Sequence, residues 1–205
     1  QRALIEAHLW DDASGIYVNK NATGSFVRRI SPTSFYALQT GGPSDARADT
    51  MVRTWLLSPE HFCVAPDGDF AGNSPDCWWG LPSIARSDAA FPKLGYWRGY
   101  VWGPMAQLTY WSLQQYDHVP IVRKGRKALV KQMTALMLDE WRRNRHICEN
   151  FNPHRNATEC SGTKLYHWGA LNGMITMVEE GWYSEEALEE ATPPPALSPS
   201  GDPPV

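Results

Sequence analysis

The chain has 205 residues, a formal net charge of −3 and a pI near 6.1. That length suits one domain with a well-formed core, and the mildly acidic balance excludes the basic bias of a nucleic-acid or anionic-lipid binder. No apolar run approaches the ~20 residues of a membrane-spanning helix, so no membrane anchor is expected within these residues.

In chain order, Leu4, Ile5, His8 and Leu9 share one face of an opening helix. Gln1 already lies inside this amphipathic pattern, so a leader, if there is one, is expected upstream. Residues 15–18 and 25–27 predict a small hairpin around Asn21. Ser44 is placed to cap a second helix whose apolar side holds Ala48, Met51, Val52, Trp55 and Leu56. Residues 58–103 show little regular pattern, and structureless loops beyond ~12–15 residues usually serve a function.

Pro104 suits a first helical position, ahead of Met105, Leu108, Trp111 and Leu113. The longest helix is expected over 121–145, with Leu129, Met133, Leu136, Met137 and Trp141 in one stripe. Arg142, Arg143 and Arg145 read as a solvated helix end, where cations suit the dipole, rather than as a binding patch. A final helix carries Leu165, Trp168, Leu171, Ile175 and Val178. Five helices with long loops fit an all-α toroid of helical hairpins occupying 1–185. The Pro-rich stretch 186–205 reads as a disordered tail.

Asn21 and Asn156 each open an Asn-Ala-Thr glycosylation acceptor. The four cysteines form two local pairs, Cys63 with Cys77 and Cys148 with Cys160, although four cysteines allow three connectivities. Both features point to the secretory pathway, the endoplasmic reticulum lumen or the exterior. Neither pair has CxxC spacing and no histidine cluster flanks them, so no metal is expected. Nothing indicates another cofactor.

Tryptophan is the outlier, with ten in the chain and aromatics at 12%. Some fill the core. Others fall in Gly- and Pro-rich loops, where flat, stiff rings suit stacking on sugar C–H faces. The segment YWRGYVWGP, 96–104, would make a sugar-binding wall. There Trp97 and Trp102 would stack, Arg98 would donate charged hydrogen bonds, and the glycines would allow close approach. The competing interpretation is a packed helix entry with Arg98 paired to an internal acid.

The segment CENFNP, 148–153, places Glu149 just past the long helix in a turn set by Asn150, Asn152 and Pro153. A carboxylate so held could polarise a water; taken alone, it reads more readily as an exposed loop acid. In YHWGA, 166–170, His167 and Trp168 would line the same site, or His167 would be a hydrogen-bonded rim histidine.

Together these segments resemble glycoside hydrolase family 63, the mannosyl-oligosaccharide glucosidase and mannosylglycerate hydrolase group, over about residues 1–183. The shared order is LWD (9–11), SPT (31–33) with Phe35, GLPS (80–83), YWRG (96–99), WGP (102–104), ENFNP (149–153) and YHWG (166–169). The continuation to Met105 lies nearer the mannosylglycerate hydrolase branch. The resemblance implies the C-terminal part of an (α/α)6 toroid that cleaves a glycoside with inversion. In that reaction one carboxylic acid protonates the leaving oxygen while an opposing carboxylate, about 6.5–9.5 Å away, activates water. The family's base falls on Glu149, with Phe151 replacing a Tyr. Its acid, an Asp, lies further upstream than this chain extends, since Asp11 and Asp12 match a later, non-acid segment. The expected partners are therefore a carbohydrate and the N-terminal portion of the same domain. Two other readings are a non-catalytic carbohydrate-binding remnant and a scaffold whose tryptophans are all core.

Overall fold

A computed structural model describes residues 1–64, 80–154 and 160–182. Cys77, Asn156 and the Pro-rich tail lie outside them. Helix α1 spans Arg2–His8, α2 Asp45–Met51, α3 Gly103–Gln114, α4 Pro120–Asn144 and α5 His167–Glu179. Between them lie three two-stranded antiparallel hairpins: β1 (Trp10–Asp11) with β2 (Ile16–Tyr17), β3 (Asn19–Lys20) with β4 (Phe26–Val27), and β5 (Cys148–Asn150) with β6 (Ser161–Lys164). The hairpin expected around Asn21 forms as β3–β4, and Asn21 sits exposed in its turn. Its other expected segment, 15–18, divides: Ile16 and Tyr17 pair back onto Trp10–Asp11, and the chain then turns outward into β3.

Ser44 caps α2 through its hydroxyl, which accepts from the Arg47 amide at 3.3 Å. The helix continues as a π-helical turn over Val52–Leu56, so the full apolar set from Ala48 to Leu56 is buried except for half-buried Trp55. A 3-10 helix over Pro32–Thr40, not anticipated from the sequence, packs Phe35 and Leu38 into the same core. Short 3-10 pieces carry no 3.6-residue stripe, which is why periodicity overlooks this one. Helices α3 and α4 both begin with Pro in the first turn, and the short link 115–119 folds α4 back on α3. The last helix starts later than expected. Leu165 adopts a left-handed φ of 56° and is 75% exposed, outside α5 rather than on its apolar face.

One buried polar network ties the three long helices. The Arg126 guanidinium on α4 pairs with Glu179 at the end of α5, with Asp117 Oδ1 at 2.8 Å, and lies 5.7 Å from the Tyr110 ring on α3. Tyr110 in turn donates to Glu179 at 3.0 Å. A buried guanidinium is tolerable because two carboxylates meet it. No helix among the described residues is long and apolar enough to cross a membrane.

Candidate active site

The motif segments lie far apart in sequence, and backbone bridges lay them side by side. Pro82 bridges Val101, and Val101 bridges Phe151. The second bridge carries two reciprocal hydrogen bonds of 2.9 Å, Val101 N–H to the Phe151 carbonyl and Phe151 N–H to the Val101 carbonyl. The Gly99 amide donates to Ser83 Oγ at 2.9 Å, fixing GLPS against YWRG. Helix α5 closes the cluster from behind. A Cβ on Gly169 would overlap the Cys148 carbonyl oxygen, and one on Gly103 would overlap the Trp168 carbonyl oxygen. These glycines let two helix N-termini press directly onto neighbouring backbone.

Glu149 stands on β5, half-buried, with both carboxylate oxygens engaged. The Tyr96 hydroxyl donates to Oε1 in a short hydrogen bond, and the Thr163 amide donates to Oε2 at 3.3 Å. The hydrogen bond to Glu149 pushes the Tyr96 phenol above its ordinary range, with desolvation adding to it. Thr163 reaches Glu149 because β6 turns tightly at Gly162, whose φ is 77° and whose Cβ position falls on Glu149 Oε2. Only glycine combines that φ with that approach. The Cys148–Cys160 disulfide, Cα–Cα 5.8 Å, ties β5 to the residue preceding β6. Cys63 is disulfide-bonded as well.

Beside this carboxylate lies an aromatic cluster. Trp97 stacks on Trp102, ring centroids 3.8 Å apart, and Trp168 meets Trp102 edge-on at 5.7 Å. Trp97 remains 43% exposed and Tyr96 50%. Trp102, expected to face sugar, is fully buried, and its indole N–H donates to the Tyr96 carbonyl at 3.0 Å. It is the support beneath Trp97, since the tight chain path from Tyr96 to Trp102 turns its ring inward. Arg98 turns elsewhere too. It lines a separate cleft of about 490 Å3 with Arg29, Lys93 and Gly95. His167 is exposed, 6.2 Å edge-on to Trp168.

The cluster thus unites Glu149, Trp97, Trp168 and His167, with Tyr96 and Thr163 as contacts the sequence did not single out. Tyr96 was visible as the first letter of its motif; Thr163 acts through backbone, which no side-chain pattern reveals. Asp11 has a different place. Arg28 Nε donates to its carboxylate at 2.6 Å and Ser14 at 2.6 Å, and the bond to Arg28 holds its pKa down to about 2. A carboxyl so ionised cannot serve as a proton donor near neutral pH.

This ordered set of loops is matched by a family model, the mannosylglycerate hydrolase MGH1-like glycoside hydrolase domain, over residues 1–169. The chain belongs to this family. A family 63 mannosylglycerate hydrolase from Thermus thermophilus, solved with glucose, is 20% identical with a TM-score of 0.62, over 86% of this chain and 38% of that one. The neutral trehalase of Saccharomyces cerevisiae is 21% identical with a TM-score of 0.58, over 92% and 30%. The fold is accordingly part of the (α/α)6 toroid of these glycosidases, and this chain spans under two fifths of either structure's length. No curated protein sequence matches it.

Proposed function

We propose that the chain is the base-bearing part of an inverting glycoside hydrolase, α-glucosidase-like, acting on an oligosaccharide or a small glycoside. The observation that carries this reading is Glu149 held by Tyr96 and Thr163 at the edge of a tryptophan wall. Two donors orient the carboxylate, and a water taken from solvent at its half-exposed edge would lose its proton to it as it attacks the anomeric carbon. Trp97 and Trp168 offer the stacking faces, and His167 a hydrogen-bond donor or acceptor at the rim. The proton for the leaving oxygen comes from a carboxylic acid in the N-terminal portion of the domain. Glucose bound by the Thermus relative supports a pocket of monosaccharide size. The exposed sequon at Asn21 and the disulfide at Cys148 support a secretory location.

The test uses the chain joined to its N-terminal portion, with α-glucosides as substrates and proton NMR to follow the first-formed anomer. Inverted product, with Glu149→Gln lowering kcat by about 10²–10⁴ while glucose binding persists, supports the proposal. A complete protein that binds sugar without hydrolysis would instead make this a carbohydrate-binding remnant.

A further inference from the structure

A second cluster of reactive side chains sits behind Glu149, and the hydrolytic reading makes no use of it. Glu140, on the last turns of α4, and His146, just beyond that helix, flank the Cys148–Cys160 disulfide. One ligand-type atom from each of the four lies within 4.8 Å of all the others. Glu140 is buried, its side chain only 5% exposed. Its Oε1 accepts from Asn144 Nδ2 at 2.6 Å and stands 3.4 Å from His146 Nε2. That imidazole nitrogen is itself buried, with no hydrogen-bond partner among the described residues.

The sequence argued against a metal because no CxxC spacing or histidine cluster is present. The fold supplies what spacing concealed. The left-handed turn at Arg145, φ 56°, ends α4 and brings His146 back beside Glu140. Strand β5 then delivers Cys148, and the return of the chain delivers Cys160. Two sulfurs, an imidazole and a carboxylate are the donor types Zn2+ accepts in a closed tetrahedral site. Bonds of about 2.3 Å to sulfur and 2.0–2.2 Å to nitrogen and oxygen give tetrahedron edges of about 3.3–3.8 Å. The cluster's span of 4.8 Å exceeds the longest of those edges by about 1 Å, and reduction frees the two bonded sulfurs to part to an edge length.

We propose that Cys148, Cys160, His146 and Glu140 form a redox-gated zinc site. Under oxidising conditions the sulfurs are joined as the disulfide and the metal is excluded, because only thiolates bind it. A dithiol reductant breaks the Cys148–Cys160 bond, forms its own disulfide, and leaves two thiols with the two protons it gives up. Zn2+ then displaces both thiol protons and is held by two thiolates, neutral His146 and ionised Glu140. Either state staples β5 to the residues before β6, so the hairpin that carries Glu149 stays closed in a reducing or an oxidising compartment.

The full chain, reduced anaerobically and desalted, is titrated with Co2+ and then Zn2+. The expected result is one Co2+ per chain with thiolate charge-transfer and tetrahedral d–d absorption, displaced by Zn2+ and absent from the oxidised protein. His146→Ala and Glu140→Gln keep both cysteines, so each can be purified oxidised and its fold checked by circular dichroism before reduction. Each should weaken zinc binding by about ten-fold or more. Cys63→Ser should bind as the parent does, which separates this pair from the other cysteines. Reduced protein that takes up no metal, or uptake unchanged in folded His146→Ala, overturns the proposal.

Discussion

Glu149 depends on two donors of different kinds, a phenol from the YWRG loop and a backbone amide from β6. Tyr96→Phe removes one without disturbing the Trp102 bond to the Tyr96 carbonyl. If the complete protein hydrolyses glycosides as proposed, the change should lower kcat about ten-fold with KM little changed, as for an interaction that orients a reacting group; an unchanged kcat would show that Thr163 alone suffices. Asp11 makes a separate prediction. Its carboxyl ordinarily titrates near 3.8 and in the fold near 2. The stability it contributes is therefore complete above about pH 4 and is lost as pH falls through 2. Arg28 is 55% exposed, so solvent screening keeps the effect small. Urea unfolding at pH 5 and pH 2 should show parent and Asp11→Asn converging at the lower pH. At this scale the sequence singled out Glu149 through its motif, while the burial of Trp102 and the turn of Arg98 into another cleft escaped it, because alternation along an irregular loop does not say which way a ring or guanidinium turns.

The elements were read best where packing imposes a long period. Helices α2, α3 and α4 begin within a residue or two of their Ser44, Pro104 and Ile121 signals. The β5–β6 hairpin was invisible, since strands of three and four residues with a register shift carry no alternating signature. Yet that hairpin positions Thr163, and with it the candidate base. The glycines at the helix starts bear the cost of its tight seating. Gly169→Ala drives a methyl group onto the Cys148 carbonyl, and Gly103→Ala drives one onto the Trp168 carbonyl. Each should destabilise by about 1–3 kcal/mol or more, seen as a fall in the urea midpoint, whereas Gly95→Ala, with no left-handed φ and no contact closer than 3.4 Å, should cost less. Equal losses at all three would contradict the close-approach explanation.

At the scale of the molecule, the described residues bury a continuous core but leave Leu138, Trp141, Leu165 and Trp182 exposed. Leu138 also lines a groove of about 790 Å3 between α4 and α5, where Val130 and Ala135 alternate with Lys131, Asp139, Arg142 and Glu179. We expect the remaining hairpins of the toroid to cover these residues, since this chain spans under two fifths of the Thermus structure's length. By itself the chain is therefore expected to self-associate, and adding the N-terminal portion should suppress that in sedimentation velocity. A monodisperse monomer that ignores the added portion would argue for an independent domain. The toroid class was legible from motif order, while the exposure of Leu138, Trp141 and Leu165 was not, because apolar residues look like core residues until a fold leaves them uncovered.

The proposed hydrolysis turns on water activation by Glu149. The most direct measurement is Glu149→Ala in the complete protein, assayed on a glycosyl fluoride with and without azide. Turnover should vanish without azide and return with it, as a glycosyl azide of inverted configuration. Hydrolysis that persists without azide, or an azide product of retained configuration, would contradict the account.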